Sequence, residues 1–85
     1  MLNLTLQRND SIETVLPTVE RAMRSGELCR LHNINYLGQL QLAALILLAM
    51  SQNLMDTATG QIFQRHPGFR LVGIDDQGVT RSLTR

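Results

Sequence analysis

The feature that most constrains this chain is an uncharged segment, Leu31 to Met55, which contains no Asp, Glu, Lys or Arg. At its centre, Leu42 to Met50 form an unbroken apolar run. Leu, Ala, Ile and Met are compatible with helices, and the run contains neither Gly nor Pro. We therefore expect a helix from about Asn35 to Leu54, with Asn35 as its N-cap.

The middle section of this helix is apolar on every side, because Leu42 and Leu45 fall on a different face from Leu47. A membrane span needs roughly 20 predominantly apolar residues, whereas Gln41 and Ser51 bound this run closely, so we expect no span. The pattern predicts a helix that is buried all round. A chain of 85 residues has little surface with which to cover such a helix, so we expect a second copy to complete the cover in a homodimer.

The N-terminal part predicts a strand and then an amphipathic helix. Apolar residues alternate with polar ones as in a strand with one buried face, at Leu2, Leu4 and Leu6. Asp10 and Glu13 resemble a capping box, and apolar residues at helical spacing predict a helix from about Ser11 to Ser25, kinked at Pro17 and ended by Gly26. The segment from Glu27 to Asn33 is too short for periodicity to decide, and we interpret it as a connector.

The C-terminal part predicts a short helix followed by a hairpin. Asp56 can cap a helix that runs to about Arg65, although Gly60 weakens it. Two alternating segments, Phe69 to Ile74 and Val79 to Leu83, flank a turn of Asp, Asp, Gln and Gly, which is typical of a β-hairpin.

Together these elements predict an α+β fold in a single small domain, residues 1–85. About three helices, with the central one fully buried, would pack on a small antiparallel sheet. That sheet would consist of the N-terminal strand and the C-terminal hairpin, because two strands alone are only marginally stable.

Charge and composition exclude some classes of function. The net charge of +1 is too balanced for a general polyanion binder, and all eight basic residues are Arg. The single cysteine, Cys29, cannot form an intramolecular disulfide and fits a reducing compartment. The N-terminus has neither a basic start nor an apolar block, so we expect a cytoplasmic protein.

Candidate chemical groups are incomplete. Cys29 and His32 lie two residues apart with His66 farther along, but half of a zinc ligand set is missing, and no third group is placed to orient a Cys and His pair for catalysis. Asp75 and Asp76 precede a glycine and are better explained as turn residues. We therefore expect neither an enzyme nor a cofactor or metal site.

Small size and surplus apolar surface favour a non-enzymatic protein that binds another protein as a regulator, adaptor or inhibitor. The candidate partner-binding residues are Arg65, Arg70, Arg81 and Met55. The three arginines could be brought toward one side by the proposed helix and hairpin. Met1 aside, Met55 is the methionine that does not fall on a predicted core position.

The alternative is a DNA-binding regulator that resembles a winged helix-turn-helix in the order of its elements. A helix from Thr57 to Arg65 would read bases, and the hairpin would be the wing. Base contacts would come from Thr57, Thr59, Gln61 and Gln64, and phosphate contacts from Arg65, Arg70, Arg81 and Arg85. Asp75 and Asp76 at the wing tip would repel phosphates, so nucleic acid is the second choice.

Overall fold

The computed structural model describes residues 1–56 and 58–84. In chain order, its elements are β1 (Leu2–Thr5), α1 (Ile12–Ser25), β2 (Leu28–His32), a 3-10 turn (Ile34–Tyr36), α2 (Gln39–Met50), β3 (Asn53–Met55), β4 (Ile62–Gln64), β5 (Arg70–Ile74) and β6 (Thr80–Ser82). The predicted α+β class is confirmed. The described residues contain two α-helices instead of about three, and two sheets.

The larger sheet has the strand order β1-β2-β5-β6 and is mixed. Strand β1 pairs parallel to β2, β2 pairs parallel to β5, and β5 pairs antiparallel to β6. The predicted antiparallel sheet is therefore wrong, because α1 carries the chain back across the sheet and brings β2 in parallel beside β1. The segment interpreted as a connector contains this central strand, in which Cys29 and Leu31 are buried and Arg30 is exposed.

Helix α1 confirms the first predicted helix within one residue at its start. Its N-cap is Ser11 and not Asp10, and Ser11 forms the capping box with Thr14. The helix continues through Pro17, which is exposed on its surface. Gly26 ends it in the left-handed conformation at φ 78°, and its backbone N–H donates to Ala22.

Helix α2 is shorter than predicted and is not buried all round. It begins after Gly38, whereas Asn35 lies in the preceding 3-10 turn and accepts a hydrogen bond from the Asp76 backbone N–H at 3.0 Å. Leu45 is fully buried, but Leu47 on the opposite side is 71% exposed. The expectation of full burial is wrong because a two-layer fold of this size offers core to one side of the helix only.

A polar contact joins the two helices. The Gln41 side-chain oxygen of α2 accepts a hydrogen bond of 2.7 Å from the Ile12 backbone N–H, one of the unpaired donors at the start of α1. This hydrogen bond ties the first turn of α2 to the first turn of α1.

A second hairpin, β3–β4, occupies the segment predicted as a third helix. Asp56 accepts hydrogen bonds from the backbone of Ala58 and Thr59, and Gly60 adopts φ 73°. The predicted helix is wrong because an Asp side chain bonds the next backbone N–H groups in a tight turn as well as at an N-cap. Thr57 lies outside the described residues.

The core lies between the four-stranded sheet and the two helices. The C-terminal hairpin is confirmed, with its turn held by the Asp75 carboxylate, which accepts hydrogen bonds from the backbone of Gln77 and Val79 at 2.9 Å. Fully buried side chains come from both helices and the inner face of the sheet: Val15, Val19, Met23, Cys29, Leu31, Leu45, Phe69 and Leu71. The opposite face of the sheet carries no helix in the part of the chain that the structure describes.

Candidate partner-binding surfaces

The residues predicted to bind a partner lie in four different settings. Arg70 shares a face with its register partner Leu28, whereas Arg81 is opposite Gly73 and lies on the helix side of the sheet. Arg65 is half-buried with its guanidinium 5.5 Å from the ring centre of Phe69. The structure therefore does not bring the three arginines together on one surface.

Met55 lies on the small hairpin. It is 60% exposed beside its cross-strand partner Ile62, which is 67% exposed. The opposite pair on the same hairpin, Leu54 and Phe63, packs on the core. Met55 is thus a surface residue as predicted, but its apolar neighbourhood is small.

The uncovered face of the four-stranded sheet is the first candidate surface, which we call the open sheet face. Strand alternation places on it every second residue of each strand: Asn3, Thr5, Leu28, Arg30, His32, Arg70, Val72, Ile74, Thr80 and Ser82. Leu28, Val72 and Ile74 are half-buried, and the two arginines are exposed. Arg30 lies beside Val72 in the middle row of the face, and Arg70 lies beside Leu28 at one end, so apolar and basic side chains alternate on it.

The charge of the open sheet face has one sign. The four strands contain no Asp or Glu, so Arg30 and Arg70 give the face a formal charge of +2. Arg70 donates to the backbone oxygens of Pro67 and Phe69, which holds its guanidinium near the start of β5. Among the described residues, neither arginine forms a salt bridge. Both cations are therefore available to an acidic group of a partner.

The outward side of α2 is the second candidate surface, which we call the α2 stripe. Its members follow helical spacing and are all apolar: Leu40, Ala43, Ala44, Leu47 and Met50. Leu40 is 88% exposed, the largest exposure among the large hydrophobic side chains of the described residues. Exposed leucines at this spacing form an apolar patch, and patches of this kind are candidates for contact with another apolar surface.

Cys29 and His32 point to opposite faces of β2, because they are three residues apart in a strand. Burial raises the pKa of the Cys29 thiol to about 11, and the nearby Glu27 charge adds to that effect. The thiol is therefore protonated at neutral pH and is a poor nucleophile. No group of three or more potential metal ligands occurs within residues 1–56 and 58–84.

A cleft of about 450 Å³ lies between α1 and the turn of the β3–β4 hairpin. One wall of it is the salt bridge between Arg24 and Asp56, at 2.6 Å, and the same guanidinium lies 4.5 Å from the ring centre of Phe63. Because Arg24 is engaged twice by the hairpin, we interpret its role as holding β3–β4 against α1.

In comparisons with known proteins, no protein-family model, curated protein or solved structure matches this chain. No helix in the described part of the chain is long and apolar enough to cross a membrane.

Sequence reasoning missed Arg30 and the open sheet face. The available signal was the alternation of Leu28, Arg30 and His32 with Cys29 and Leu31, but five residues fit a helical turn as well as a strand. The α2 stripe was partly predicted. The excess of apolar residues in this helix was recognised, but not the side of the helix on which they are exposed.

Proposed function

We propose that this protein is a non-enzymatic regulator, adaptor or inhibitor that binds an acidic surface of another protein through its open sheet face. The observation that carries the proposal is an uncovered face of a sheet in which three of the four strands are parallel, with a charge of +2 and no acidic residue. Parallel strands are usually covered on both faces, so an open face over three of them is an unusual feature that invites a partner.

The chemistry of the face matches that of a protein interface. Leu28, Val72 and Ile74 supply apolar contact area, and Arg30 and Arg70 beside them supply the residue type that is enriched where proteins meet. A second copy does not suit this surface, because two faces of charge +2 repel each other when they stack. Charge complementarity therefore favours a different protein with carboxylates around an apolar patch.

The size of the face sets the expected affinity. With strands about 4.8 Å apart and about 3.3 Å per residue, the face measures roughly 15 Å in each direction. Its area is therefore well below the roughly 800 Å² that each partner contributes to a standard interface. We therefore expect reversible binding in the micromolar range that weakens with added salt.

The geometry does not support the winged-helix alternative. Its reading helix was predicted to run from Thr57 to Arg65, but the described part of that segment contains strand β4 and turns. Of the rings on which sheet proteins stack single-stranded bases, the open sheet face carries only that of His32 among the described residues, since Tyr36, Phe63 and Phe69 lie elsewhere.

The proposal is tested by placing a photo-crosslinking amino acid at Val72 in the native host, with Glu13 on α1 as the matched exposed control. A protein cross-linked from Val72 alone is identified and purified. Its affinity is then measured for the wild type and for Arg30→Glu/Arg70→Glu. Arg81→Glu is the control for charge reversal on the other side of the same sheet.

We expect the double variant to bind at least about tenfold more weakly and Arg81→Glu to bind within about twofold of the wild type, because charge reversal acts only where it faces the partner. Equal losses from both variants, cross-links from Glu13 alone, or capture of nucleic acid from Val72 would contradict the proposal.

A further inference from the structure

We infer that the α2 stripe is covered by a second copy of this chain, with the two α2 helices packed antiparallel across a two-fold axis. This surface is separate from the open sheet face, so the inference goes beyond the proposed function. It commits to one occupant on two grounds, the symmetry of the stripe and its lack of charge, and the size of the stripe sets the expected affinity.

From Leu40 to Leu47 the stripe reads the same in both directions, and Met50 is its one member without a counterpart. Leu40 and Leu47 flank Ala43 and Ala44 symmetrically, and the midpoint lies between the two alanines. A two-fold axis through that midpoint places Leu40 of one copy against Leu47 of the other, and the alanines against each other. In such an isologous dimer the same patch is used twice, so a self-matching sequence is what it requires.

The side chains at the centre allow the two helices to approach closely. Ala43 and Ala44 are both exposed and carry only a methyl group, so the axes can come near the lower end of the usual spacing of about 8 to 10 Å. At that spacing, each leucine at the ends of the stripe reaches the space beside the alanines of the other helix. The leucines fill the gaps that the alanines leave.

The absence of charge distinguishes this surface from the open sheet face. No Asp, Glu, Lys or Arg occurs from residue 31 to residue 55, so two stripes do not repel each other. A charged partner surface could form no ion pair with the stripe, whereas a second stripe would bury its own exposed leucines in the same contact. Added salt should therefore leave this association unchanged or strengthen it.

The area of the stripe indicates a weak dimer. A helix of 12 residues is roughly 18 Å long and its contact strip about 10 Å wide, which is below the area of a standard stable interface. We therefore expect a dimer that dissociates in the micromolar range instead of an obligate one.

The test is sedimentation equilibrium of the full chain between about 1 and 300 μM, a range that spans weak and moderate dimers. Leu47→Glu and Leu40→Glu change exposed members of the stripe, so both should fold, which circular dichroism checks. Val79→Glu is the matched control, because Val79 is 64% exposed but lies next to β6 and off the stripe.

We expect the wild type and Val79→Glu to dimerise alike, and each stripe variant to raise the dissociation constant at least tenfold. A wild type that stays monomeric at the highest concentration, or a Val79→Glu variant that dissociates as readily as Leu47→Glu, would overturn the inference. If one stripe variant fails to fold, the other decides.

Orientation is tested separately in a Cys29→Ala background by mixing Leu40→Cys chains with Leu47→Cys chains that carry a mass tag, with Ala58→Cys as the exposed control. Antiparallel packing places position 40 opposite position 47, so mild oxidation should join the two different chains much faster than it joins either chain to itself, whereas parallel packing would join like with like. An excess of like-with-like products, or a rate equal to that of the control, would contradict the antiparallel arrangement. Binding of the acidic partner should survive the stripe variants, so this inference and the proposed function can fail independently.

Discussion

Truncation of two neighbouring leucines of α2 should have very different effects on stability. Leu→Ala removes three carbon atoms, which is about 2.4 kcal/mol of transfer free energy when the side chain is fully buried. At Leu45, which is 0% exposed, a cavity adds to this, and we expect a loss of about 3 to 4 kcal/mol in the free energy of unfolding. Leu47 is 71% exposed, so less than a third of that transfer energy, about 0.7 kcal/mol, is at stake.

The assay is urea unfolding followed by circular dichroism, first at about 1 μM, where a weak dimer is dissociated. The measurement is then repeated at about 100 μM, where dimerisation adds to the stability of the native state. The loss caused by Leu45→Ala should be nearly the same at both concentrations, whereas that of Leu47→Ala should grow. If the two variants lose equal stability at the low concentration, α2 does not have the orientation described here.

Two further predictions concern Cys29 and a pair of glycines. Burial raises the pKa of the Cys29 thiol from 9.0 to about 11. Relative to Cys29→Ala, the free energy of unfolding should therefore be constant below pH 9 and fall by roughly 2 to 3 kcal/mol toward pH 11, because the unfolded chain loses the thiol proton first. Urea unfolding measures this, and parallel pH curves for the two proteins would show that the thiol is not shielded. Gly26 and Gly60 both have positive φ, at 78° and 73°, but a Cβ at Gly26 would lie 2.3 Å from the ring of His66, whereas Gly60 has open space. Thermal melts should therefore show a loss of about 1 to 2 kcal/mol for Gly60→Ala and at least about 2 kcal/mol more for Gly26→Ala, and similar losses would argue against this packing.

The elements predicted correctly are those whose local signals agree. In α1, a polar cap, an apolar stripe and a closing Gly26 all indicate one helix, and in the C-terminal hairpin two alternating segments flank a turn. The third helix failed because Asp56 satisfies backbone donors equally well in a turn. The burial of α2 failed because an apolar pattern shows that a surface needs cover, but not whether the same chain supplies it.

The candidate surface was predicted only in part, for a related reason. Arg70 was named because its hairpin was recognised, whereas Arg30 was missed together with its strand. Which cations share a face depends on the parallel register of β2 and β5, where Arg30 is opposite Val72 and Leu28 is opposite Arg70. That pairing joins segments about 40 residues apart, and no local pattern encodes it.

The hydrogen bond between Gln41 and the start of α1 has a consequence for how α2 is oriented. A helix with one polar side has one preferred orientation about its axis, because rotating it would bury polar groups. Helix α2 lacks that restraint along most of its length, so its rotation depends on how its aliphatic side chains pack and on the few polar contacts that it makes. Gln41 makes one such contact, and rotation would leave the Ile12 N–H unpaired. One amide oxygen therefore adds to core packing in setting which leucines of α2 face inward and which face water.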